Sequence, residues 1–75
     1  MIKIDKILDI QGLVPPRSRM VIEATMAGLD RGQALRVLTK DRETRESVPA
    51  LCLDLGYTFL EQGAEQGMFS ITIRK

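Results

Sequence analysis

Leu8-Asp9-Ile10-Gln11-Gly12-Leu13-Val14-Pro15-Pro16-Arg17-Ser18 is the stretch on which the reading of this chain turns. Upstream of it, Ile2 and Ile4 alternate with Lys3 and Asp5, the period of a strand with one wet face. That run ends at Asp9-Ile10-Gln11-Gly12. Prolines then suit the first turn of a helix, where the missing N–H would have had no partner. The spacing predicts a helix from about Pro16 to Ala27, stopped by Gly28 or by Asp30-Arg31-Gly32. Its core side carries Ser18, Ile22, Thr25, Met26 and Leu29. The opposite side carries Met20, Ala24 and Ala27, where an exposed helix usually places charge.

Downstream the pattern stays legible. Leu35, Val37 and Thr39 alternate with Arg36 and Leu38 as a second strand. Asp41 has the chemistry of an N-cap, its carboxylate accepting from free amides of the next turn. Thr44, Val48, Leu51, Cys52 and Leu55 then form a buried helical stripe, which Pro49 is expected to kink or split. Gly56 fits the end of that helix. Tyr57 to Gln62 and Met68 to Arg74 read as two strands of a hairpin joined by a medium loop through Gly63 and Gly67. Phe69, Ile71 and Ile73 share one face of the last strand, Ser70 and Thr72 the other. The mixed-charge run Asp41, Arg42, Glu43, Arg45 and Glu46 reads as a solvated helix start. The order β-α-β-α-β-β predicts a two-layer α/β sandwich, a four-stranded mixed sheet with two helices on one face. Residues 1–75 are expected to form a single domain.

Composition narrows the function. The net charge is +1, with 11 Lys and Arg set against 10 Asp and Glu and no histidine. A nucleic-acid binder usually shows a basic excess beside aromatics, and here the aromatics are only Tyr57, Phe59 and Phe69. One thiol and no imidazole argue against a zinc site, and no cofactor is implied. With Cys52 as the one cysteine there is no internal disulfide, which fits a reducing cytoplasm. No run approaches the ~20 apolar residues of a membrane span, and the first residues lack the apolar core of a signal peptide.

This order and the residues around the first turn resemble the TusA/SirA family of small sulfur carriers. Leu8-Asp9-Ile10-Gln11-Gly12-Leu13 is similar to the family's Leu-Asp-x-x-Gly-Leu. Arg31-Gly32-Gln33 echoes its Pro-Gly-Glu turn, and Val48-Pro49 stands where Ile-Pro is usual. Cys52 stands where members often have a second cysteine, and Ile73-Arg74-Lys75 is a similar ending. In that register the family's Cys-Pro-x-Pro falls on Pro15-Pro16-Arg17-Ser18. The resemblance implies that the motif cysteine receives a persulfide sulfur and passes it on. Pro15 occupies that position, Pro16 matches the first motif proline, and Ser18 replaces the second.

A thiol at a helix start is acidified by the dipole and by free amides, and the thiolate is the nucleophile. Proline supplies neither sulfur nor N–H. The expectation is therefore a TusA/SirA-like domain without its carrier cysteine: a non-catalytic protein-binding or regulatory module related to sulfur transfer. Two alternatives stand beside it. One is a sulfur carrier using Cys52, although a thiol on an apolar helical stripe is expected to be buried and inert. The other is a nucleic-acid-binding module, suggested only by a topology like that of the C-terminal domain of a translation initiation factor. Ser18 lacks a base to activate it, and its hydroxyl is expected to bond to nearby backbone. Arg17 and Arg19 are either solvated charges or an anion site at a helix start. Met20, Ala24 and Ala27 are either ordinary exposed small residues or a docking stripe facing a protein partner. The candidate binding surface is Pro16, Arg17, Arg19, Met20, Ala24 and Ala27.

Overall fold

The structure is a computed structural model that describes residues 1–75. Its elements run β1 (Lys6–Asp9), α1 (Arg17–Ala27), β2 (Ala34–Thr39), α2 (Arg42–Leu55), β3 (Thr58–Glu65) and β4 (Met68–Arg74). They make one sheet in the order β1-β2-β4-β3. β1 runs parallel to β2, whereas β4 is antiparallel to both β2 and β3. This is the mixed sheet and the β-α-β-α-β-β order that the periodicities predict.

The core follows from alternation on the two central strands. Leu35 lies opposite Ile73 and Val37 opposite Ile71, and all four are buried. Ile22 and Met26 of α1 and Val48, Leu51 and Cys52 of α2 close over them, with Ile10 completing the cluster. Burial of each large aliphatic side chain contributes about 1.5–3 kcal/mol.

Several boundaries differ from the sequence reading, each for a physical reason. The Ile2/Ile4 alternation is not a strand. β2 begins at Ala34, which has Asp5 beside it, so residues before Asp5 have no neighbouring strand to pair with. Asp5 closes that end, its N–H donating to the Ala34 carbonyl at 3.0 Å and its carboxylate accepting from the Ala34 N–H at 2.9 Å. α1 starts at Arg17 with Pro16 as its N-cap, and of the predicted core face only Ser18, Ile22 and Met26 are fully buried. Thr25 and Leu29 are half-buried.

α2 passes through Pro49 as one helix and is not split. Pro49 is exposed, so its ring meets solvent instead of the core. Leu55 leaves the stripe and is 45% exposed. The helix ends there because Gly56 adopts a left-handed conformation, φ 76°, which returns the Tyr57 N–H to the Cys52 carbonyl at 2.9 Å. Arg45 is not simply solvated: its guanidinium lies 4.6 Å over the Phe69 ring.

The hairpin loop is also shorter than predicted. β3 runs on to Glu65, and only Gln66 and Gly67 turn the chain, with φ 52° and 78°. Two positive φ values in succession are those of the tight turn that matches strand twist. Gly63 lies within β3, opposite Ser70. A bulge at Leu60 steps the register from Phe59 opposite Ile73 to Glu61 opposite Thr72. Arg36 spans that row, its Nε donating to Thr72 Oγ1 at 3.4 Å and its guanidinium pairing with Glu61 at 3.3 Å.

Asp41 caps α2 as its sequence position predicts. Its Oδ2 accepts from the Thr44 N–H at 2.8 Å and from Thr44 Oγ1 at 2.7 Å. Asp41→Ala is therefore expected to cost about 1–2 kcal/mol, the upper range for a lost cap. Urea unfolding measures it, and Asp41→Asn should recover most of the loss.

Candidate functional site

The start of α1 is built by a sequence of local constraints. Asp9 Oδ1 accepts from the Gln11 N–H at 3.1 Å, which begins the turn out of β1. Gly12 follows at φ 88°, a conformation that disfavours any residue with a Cβ. The Leu13 N–H donates to the Ile10 carbonyl at 3.1 Å, and the Pro15–Pro16 bond is cis. The helix then opens with Ser18 N–H donating to the Val14 carbonyl and Met20 N–H to the Pro16 carbonyl, both at 3.1 Å. Between Gly12 and Arg17 no side chain carries a nucleophile, an acid or a base.

Ser18 does not bond to nearby backbone. It is wholly buried, and its Oγ lies 2.8 Å from Thr44 Oγ1, 26 residues away. Thr44 in turn donates to Asp41. The first turns of the two helices are thus tied by a buried polar chain in which each group has a partner. This Ser18 is a structural hydroxyl. No base touches it, and burial keeps substrates away.

The candidate binding residues divide. Pro16, Arg17, Met20 and Ala24 come together around an open groove of about 660 Å³, joined by Val21 and Thr25. The sequence places Thr25 on the core face and offers no assignment for Val21, and both are half-buried. Their four-residue spacing from Arg17 is the signal that would have found them. Met20 is 63% exposed. Arg19 lies on the other flank, its Nε on Glu23 at 3.0 Å and its guanidinium 3.5 Å from Asp54 of α2. The hydrogen bond to Glu23 holds Arg19 above the ordinary arginine value, with attraction to both carboxylates adding to it. Ala27 is exposed outside the groove, and its carbonyl accepts from Lys75 Nζ at 3.0 Å.

Cys52 is 3% exposed, inside the core cluster. Burial pushes its thiol above the ordinary cysteine value. A buried, protonated thiol is a poor nucleophile.

Residues 6–75 match the family described as Sulfurtransferase TusA. The chain belongs to the TusA family. It is 33% identical over 72 residues to the sulfur carrier protein TusA of Pseudomonas savastanoi pv. phaseolicola, covering 96% of this chain and 86% of that protein. The TusA protein of Pseudomonas aeruginosa strain PAO1 is 36% identical over 72 residues, covering 96% and 91%. That of Pseudomonas putida strain W619 is 37% identical over 71 residues, covering 95% and 89%. In fold the chain is similar to a SirA-like protein of Desulfitobacterium hafniense, with a TM-score of 0.81 at 22% identity, covering 92% of this chain and 95% of that one. No helix is long and apolar enough to cross a membrane.

In this TusA-family chain the one thiol is thus a core residue. A thiol reagent is expected to leave the native protein unlabelled and to modify Cys52 fully after denaturation. The raised thiol value also sets a pH dependence. The unfolded thiol ionises near its ordinary value of about 8.5, while the buried one holds its proton to higher pH. The associated stability is fully present below about 8.5 and is lost as pH rises through the folded value. Unfolding free energy should fall over that alkaline window, and Cys52→Ala should remove that part of the slope.

Proposed function

We propose that this protein is a non-catalytic TusA-type domain, a protein-binding or regulatory module associated with sulfur transfer. The observation that carries the reading is Pro15. In the register of the family motif it stands where a carrier needs its cysteine, and the chain's one thiol lies in the core. Sulfur relay starts when a thiolate attacks the terminal sulfur of a donor persulfide. The donor's S–S bond breaks, and the donor leaves as a thiolate. Pro15 offers no sulfur for that step, and Cys52 keeps its proton and its cover.

What remains is a scaffold with the start of α1 intact and an apolar groove along one flank. That groove supports contact with a protein partner. Its lining includes Pro16, Arg17, Met20 and Ala24, and the relatives' designation as sulfur carriers supports a partner that takes part in sulfur transfer. The rival reading, transfer through Cys52, requires a thiol that native protein exposes.

Incubation with a cysteine desulfurase and cysteine, followed by intact-mass measurement, tests the proposal. No adduct of a sulfur atom is expected on this chain. An adduct that disappears in Cys52→Ala would overturn the reading in favour of a carrier.

A further inference from the structure

We infer that the groove on α1 takes an acidic amphipathic helix of a partner protein, an inference that rests on the docking reading above. Arg17, Val21 and Thr25 form one row at four-residue spacing, and Met20 and Ala24 form the next. The groove runs between those two rows, a surface into which a ridge of a second helix packs. Met20 is an adaptable apolar wall, and Ala24 lets another backbone approach closely.

Charge selects the occupant. α1 has no acidic residue in its first turn, and Pro16 supplies no side-chain cap. Arg17 therefore sits at the positive pole of the helix, where a cation is unfavourable and a carboxylate is favourable. It is exposed and takes part in no ion pair, whereas Arg19 on the opposite flank is neutralised by Glu23 and Asp54. The groove thus keeps one uncompensated positive charge at its end beside an apolar floor. A second copy of α1 does not answer it, because the helix's one carboxylate, Glu23, already holds Arg19. A helix with aliphatic residues along one face and a flanking glutamate answers both features.

The test titrates isotope-labelled full chain with two synthetic helical peptides, read by NMR. Both carry leucines at i, i+3, i+4 and i+7; one has glutamates on its flanks, the other lysines. The acidic peptide is expected to shift the amides of Arg17, Met20, Val21 and Ala24, and to bind at least about tenfold more tightly than the lysine version at low salt. Arg17→Glu, which puts a carboxylate at the positive pole of α1 and so should hold or raise the thermal midpoint, should reverse that preference. Equal binding of both peptides, shifts centred elsewhere, or no binding overturns the inference. Shifts at the groove that grow with protein concentration alone would also overturn it, in favour of a second copy. Failure here leaves the non-catalytic reading standing if no sulfur adduct forms. A sulfur adduct removes that reading whatever the peptides do.

Discussion

A parallel neighbour cannot be reached by a tight turn, and that constraint organises the molecule. β1 and β2 are parallel, so the chain must leave the end of β1 and return along a crossover helix to the start of β2. The start of α1 is therefore fixed just beyond Asp9. α2 follows β2 in the same direction, so the two helices begin at the same end of the sheet. The Ser18–Thr44–Asp41 chain ties those two beginnings together inside the protein. The Gly12–Ser18 turn is thus held at its far end by the sheet and α2 through Ser18, and at its near end by the local constraints at Asp9 and Gly12.

Much of this was legible in the sequence because burial imposes a period. Leu35-Val37-Thr39 and Ile71-Ile73 alternate since one face of their strands is dry. Thr44-Val48-Leu51-Cys52 repeats at helical spacing since one side of α2 is dry. The resemblance in register added the significance of Pro15, which no periodicity carries.

What escaped the sequence depends on distant partners. Ile2 and Ile4 have strand spacing but no neighbouring strand, and spacing cannot report a missing neighbour. The Gln66-Gly67 turn was obscured because Gly63 is a second plausible turn residue. Only the pairing with Ser70 assigns it to the strand. Ser18 was read as a local hydroxyl because its partner lies 26 residues away. Thr25 was read as a core-face residue and Val21 was given no role, yet a half-buried residue on a helix flank serves the core with one side and the groove with the other.

Burial of Cys52 in the core opposes its use as a substitute carrier energetically as well as geometrically. Carrying sulfur requires a thiol that a partner's reacting atom can approach. Cys52 lies beside Leu51 and one helical turn from Val48, and all three are buried in the same cluster. Exposing it means lifting that side of α2 from the sheet. Losing the burial of Val48 and Leu51 alone costs about 1.5–3 kcal/mol each, against a total stability of about 5–15 kcal/mol for an ordinary domain. A chain this short sits toward the lower part of that range, since it buries a smaller share of its surface. Reaching the thiol therefore approaches the cost of unfolding the domain. A carrier would have to undo that packing for each transfer, whereas a cysteine at the α1 start would need no such opening. On the reading we propose, Pro15 at that start and Cys52 in the core leave the surface of α1, and not a sulfur atom, as what this scaffold offers to a partner.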